Sequence, residues 1–137
     1  MRRDLGFRAL AGAAALCLVA ACEMPRAAKS TGAVAEPDYL SIETRRLDDE
    51  LVTFTLTLRN APGDDPIRAY GDCAAAQYAR IRGFSFARHV RTNVTRDGDI
   101  ARANALYSVS AVLPRGPQTL DAEVTLANCR ESGIPSI

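Results

Sequence analysis

From Leu51 to Asn60 apolar and polar positions alternate without a break: Val52, Phe54, Leu56 and Leu58 against Thr53, Thr55, Thr57 and Arg59. A period of two puts successive side chains on opposite faces, so the segment predicts a strand with one dry and one wet face. The stretch before it, Asp38 to Arg46, reads as a second strand, joined to the first by the turn Leu47-Asp48-Asp49-Glu50. That acidic turn is read as a solvated hairpin loop, because a metal there needs further oxygen ligands around it.

Beyond Ala61-Pro62-Gly63-Asp64-Asp65-Pro66 the period changes. An aspartate ahead of a proline marks a helix start: the carboxylate can cap free N–H groups, and proline in the first turn lacks one of them. The helix is expected over about 66–82, with Gly83 as its stop. Ile67, Tyr70, Ala74, Tyr78 and Ile81 form its apolar stripe. The tyrosines are expected in the core with their hydroxyls at the rim. Gly71 inside the helix costs about 1 kcal/mol relative to alanine, which leaves a start at Asp72 as the alternative.

Three further strands are predicted at 84–96, 101–113 and 119–128, separated by the loops Arg96-Asp-Gly-Asp99 and Pro114-Arg-Gly-Pro117. In the last, Leu120, Ala122, Val124 and Leu126 alternate with Thr119, Asp121, Glu123 and Thr125. Short connections make neighbouring strands antiparallel. The fold class is therefore α+β: two layers in the order ββαβββ, one antiparallel sheet on a single main helix.

Ahead of this domain, Arg2, Arg3 and Arg8 precede a twelve-residue apolar run, Leu10–Ala21, too short to span a bilayer of about 30 Å. The run ends in Val19-Ala20-Ala21-Cys22, which resembles the lipobox of bacterial lipoproteins. That resemblance implies a signal peptide over 1–21, cleavage before Cys22, a diacylglyceryl group on its sulfur and an acylated amine. It also implies the outer membrane of a Gram-negative envelope, since Glu23 rather than Asp follows the cysteine, with the domain facing the periplasm. Cys17 is excluded from this part by the bulky Leu16 before it. Two acyl chains already suffice for stable anchoring, so membrane lipid is the first expected partner. Residues 22–37 then form the acylated cysteine and a flexible tether with a reach of about 20 Å, and 38–137 one small periplasmic domain.

The chain holds 17 Lys and Arg and 16 Asp and Glu; the leader takes three arginines and Asp4, leaving 14 against 15. A nearly neutral domain gives no charge argument for nucleic acid. His89 is the only histidine, there is no Trp, and no glycine-rich phosphate loop is present. No metal and no cofactor are expected. A Ser-His-Asp arrangement of His89 with Ser85, Ser108 or Ser110 keeps a hydrolase as the remote alternative, but no G-x-S-x-G elbow supports it, and the chain is read as not an enzyme.

The stretch from Cys73 through Tyr78 and Gly83 to Phe86, a small-residue helix, a glycine and an aromatic strand, resembles the helix-to-strand junction of several small lipoproteins of proteobacteria. The resemblance implies an envelope location and no named activity. With Cys17 removed and the Cys22 sulfur alkylated, Cys73 and Cys129 are the remaining thiols in an oxidising compartment and are expected to form a disulfide stapling helix to sheet. Closing 56 residues of chain stabilises by about 4 kcal/mol on the loop-entropy account.

One stretch is uneven in charge: Arg80, Arg82, Arg88, Arg91, Arg96 and Arg102 with His89, against Asp97 and Asp99. Strand parity puts Arg88 with Phe84, Phe86, Val90 and Val94, so it sits where the helix cover ends or marks a bulge. Arg91 and His89 then face the other way. Two functions follow. One is an envelope interaction or scaffold domain meeting a protein or the cell wall. The other is an anion- or ligand-binding module using Arg88, His89 and Arg91.

Overall fold

The computed structural model describes residues 36–135 and 137. The predicted leader, Cys17, Cys22 and the tether through residue 35 lie outside the described residues. Five strands, β1 (Asp38–Arg46), β2 (Leu51–Arg59), β3 (Phe86–Asp97), β4 (Ile100–Ser110) and β5 (Thr119–Asp121), make one antiparallel sheet in the order β1-β2-β4-β3-β5. Helices α1 (Asp65–Ile81) and α2 (Ala122–Glu131) cover one face. The class is α+β, as the pattern predicts.

Val52, Phe54, Leu56 and Leu58 are each 0% exposed, so the alternation in β2 divides its faces as expected. β4 lies between β2 and β3 and is antiparallel to both, which makes β2 and β3 parallel and places α1 in the crossover between them. The inward row of β4 is Ala101, Ala103, Ala105, Tyr107 and Val109, and α1 answers with Ala74, Ala75, Ala76 and Ala79. Small residues on both sides let helix and sheet come close. At Gly71 the approach is close: a β-carbon there would stand 2.8 Å from Tyr107 Oη and 3.3 Å from Leu56 Cδ1. This is why the helix runs through Gly71 instead of beginning at Asp72.

Several details correct the expectations. Asp65, the aspartate ahead of the proline, lies inside the first turn of α1, and Asp64, which takes the position before the helix, does not cap it with its side chain; the Asp64 Oδ1 accepts from Arg96 Nη2 at 2.8 Å, and Arg96 also donates to the carbonyls of Ala61 and Gly63. Ile81 is not on the buried stripe but 68% exposed, because the helix has passed the sheet by its last turn. Gly83, at φ +82°, ends the helix as expected, with Phe84 N–H donating to Ala79 O at 2.8 Å. Tyr78 lies in the core, yet its hydroxyl is buried without a partner rather than at the rim.

The largest correction is at the C-terminus. The strand expected over 119–128 stops at Asp121, whose carboxylate accepts from the backbone N–H groups of Glu123 and Val124, both at 3.0 Å, and starts α2. Ala122, Leu126 and Cys129, spaced by four and three, face inward, while Val124 is 58% exposed. The apolar alternation of this segment fits both periods, and the cap decides for the helix. Consequently the Cys73–Cys129 disulfide is present but joins α1 to α2, helix to helix, and not helix to sheet.

Candidate functional site

The three residues singled out in β3 do not form one site. Between His89 and Arg91 the register against β4 shifts: His89 faces Tyr107 and Arg91 faces Leu106, leaving Val90 as an inserted, half-exposed bulge residue. Of the two readings of Arg88, the bulge is the one realised. Before the bulge Ala87 and His89 point toward the helices; after it Thr92 and Val94 do, so Arg88 and Val94 are on opposite faces. His89 therefore lies on the helix side, separated by the sheet from Arg88 and Arg91.

Arg88 and Arg91 belong to the open face. The registers set its residues in rows across four strands. One row reads Arg45, Thr53, Leu106, Arg91; the next Glu43, Thr55, Asn104, Asn93; the third Ser41, Thr57, Arg102, Thr95. Arg88 stands beside the first row, opposite Ser108. A 3.3 Å hydrogen bond from Thr53 Oγ1 to Asn104 Oδ1 confirms the shared face. Among the described residues, Arg45, Arg88, Arg91 and Arg102 have no ion-pair partner, whereas Arg59 and Arg96 do. The surface is polar, rich in threonine and asparagine, with Glu43 the acid within these rows.

On the helix side a second, more enclosed constellation exists. Tyr107, fully buried, donates its hydroxyl to Asp72 Oδ1 at 2.7 Å. The His89 ring meets the Tyr107 ring edge-on at 5.2 Å between centroids. Its Nδ1 lies 2.7 Å from Gln118 Oε1 and its Nε2 2.8 Å from Thr92 Oγ1. Burial pushes the Asp72 carboxyl up from its ordinary 3.8, against the opposing pull of the Tyr107 hydrogen bond and the charges of His89 and Arg68. Burial, followed by the neighbouring Asp72, pushes the Tyr107 phenol far above its ordinary value.

Arg68, Asp72, His89, Gln118 and Leu120 line a pocket of about 140 Å³ over this chain of polar groups. Of these, only His89 is flagged by the sequence. The signal for the rest was Tyr107, the single large polar side chain in a row otherwise made of alanine and valine. Ser85, Ser108 and Ser110 make no hydrogen bond to His89, whose ring nitrogens are held by Gln118 and Thr92. Among the described residues no group of three His, Cys, Asp or Glu side chains is placed to hold a metal ion. No helix among them is long and apolar enough to cross a membrane.

Comparison with known proteins adds a family. Residues 39–133 match the profile of the YNQ4 C-terminal domain. A protein of Paracoccus denitrificans described as "Uncharacterized 26.9 kDa protein in nqo8 5'region" is 32% identical over 93 residues, covering 68% of this chain. The alignment takes in 36% of that relative, so the chain spans about a third of its length. No solved structure matches the chain.

Proposed function

This chain belongs to the YNQ4 C-terminal domain family, and for it we propose a non-catalytic role: an outer-membrane lipoprotein, held through acylated Cys22, whose open sheet face binds an acidic protein partner in the envelope. The observation that carries the reading is the set of four arginines without an ion-pair partner on one open, polar face of the described domain. Guanidinium groups offer paired donors to carboxylates, and Arg88 and Arg91 stand on adjoining rows. The spread of the four arginines over rows of four strands argues for a protein surface over a single small anion.

Four strands about 4.8 Å apart and nine residues long at about 3.3 Å each give roughly 600 Å². That is the low end for protein interfaces, so the contact is transient and depends on its charges. The lipobox Val19-Ala20-Ala21-Cys22 supports the anchor.

Two measurements test this. In membrane fractionation the native chain stays with the outer membrane and takes up labelled acyl groups, while Cys22→Ala does neither; a fully retained alanine variant would refute the anchor. In capture from envelope extract, the full chain retains its partner at low salt and loses it at moderate salt, and the double variant Arg88→Ala, Arg91→Ala loses it at both. Equal capture by both proteins at both salt concentrations would remove the arginine face from the account.

A further inference from the structure

The pocket on the helix side is independent of the open face and asks for a different ligand. Arg68 and Asp72 are one turn apart on α1, the spacing at which opposite charges ordinarily pair. Among the described residues they do not pair. Asp72 Oδ1 instead accepts from Tyr107, which holds the carboxylate, and among the described residues its second oxygen accepts no hydrogen bond. Tyr107 is itself fully buried, packed under Gly71 and against the His89 ring. Asp72, held by Tyr107, and Arg68 line the same pocket, whose walls are otherwise largely apolar and include Leu120 and Gln118.

We propose that this pocket binds a small zwitterion, an α-amino acid with both termini free, its ammonium on Asp72 and its carboxylate on Arg68. The charges decide between ligand classes. A simple cation is drawn to Asp72 but repelled by Arg68, and a simple anion meets the reverse; a ligand carrying both charges satisfies both. Size agrees, since a cavity of about 150 Å³ accommodates benzene, with six heavy atoms, and this one is comparable. Alanine also has six. His89 positions the site through Tyr107 and leaves no ring nitrogen for the ligand.

The test uses the ¹⁵N-labelled full chain in detergent micelles, following the backbone resonances of Gly71, Asp72 and His89 during titration with alanine, N-acetylalanine and alaninamide. Alanine is expected to give a saturable shift, and each blocked analogue to bind at least tenfold more weakly. Arg68→Gln should erase the preference for alanine over alaninamide. Asp72→Asn, which keeps an acceptor for Tyr107, should erase the preference over N-acetylalanine. The absence of a saturable shift at millimolar alanine would overturn the proposal, as would equal binding of all three compounds. The open-face reading survives either result, because Arg88 and Arg91 are on the other side of the sheet.

Discussion

Tyr107 and Asp72 meet across 2.7 Å between β4 and α1, and they meet because Gly71, the residue before Asp72, has no side chain. A methyl group at 71 would press on the Tyr107 hydroxyl and on Leu56. In an open helix Gly→Ala gains about 1 kcal/mol; here overpacking reverses the sign. Gly71→Ala should destabilise by about 1–3 kcal/mol in urea unfolding. Stabilisation would mean that helix and sheet are not in close contact at this point.

The Asp72 carboxyl is shifted upward in the fold, with burial as the main cause, so the folded chain holds this proton more tightly than the unfolded one. The corresponding stability is fully present below the ordinary value of 3.8 and is lost as pH rises through the folded value. Tyr107, His89 and Arg68 face the group and moderate the loss without reversing it. Asp72→Asn cannot ionise. Its stability relative to the native chain should therefore rise over that window and then level off, as read from thermal unfolding across pH. A difference that falls with pH would show the carboxylate to be stabilised in the fold.

Tyr78 carries a buried hydroxyl with no hydrogen-bond partner, and its ring meets Phe54 edge-on at 6.2 Å. Removing the oxygen keeps the ring contact and ends an uncompensated desolvation. Tyr78→Phe should be neutral or more stable by about 1 kcal/mol in denaturant unfolding. A loss of more than that amount would reveal a partner for the hydroxyl.

Much of this architecture is legible in the residues. β2 is fixed by four apolar residues at strict period two, and α1 by the Asp65-Pro66 start and the Gly83 stop around a stripe of period 3.6. Where two periods coincide, legibility fails: Leu120, Ala122, Val124 and Leu126 satisfy a strand, and Ala122, Leu126 and Cys129 satisfy a helix equally well. The tie was breakable, because Asp121 offers a cap and Gly133 a stop. The bulge at Val90 is of another kind. Inserting one residue inverts every side chain after it, and no turn residue announces it, so the separation of His89 from Arg88 and Arg91 is a property of the register alone. The Arg68 and Asp72 pocket depends on contacts between elements distant in sequence, which no local pattern carries.

The disulfide closes 56 residues and holds α2 against α1. Alkylation of the unfolded chain without reductant should leave Cys73 and Cys129 unlabelled, and reduction should add two labels by intact mass. The double variant Cys73→Ala, Cys129→Ala should lose about 2–4 kcal/mol. Labelling of both cysteines before reduction would contradict the bond.

The central claim is that the open sheet face is the surface that meets a partner, and site-specific photo-crosslinking in cells expressing the full chain tests it most directly. A photoreactive residue at Asn104, in the middle row of that face, is compared with one at Glu131, on the exposed end of α2. The account predicts one discrete crosslinked protein from position 104, absent from position 131 and abolished by Arg88→Ala with Arg91→Ala. A partner captured from position 131 alone, or a position-104 product indifferent to both arginines, would contradict it.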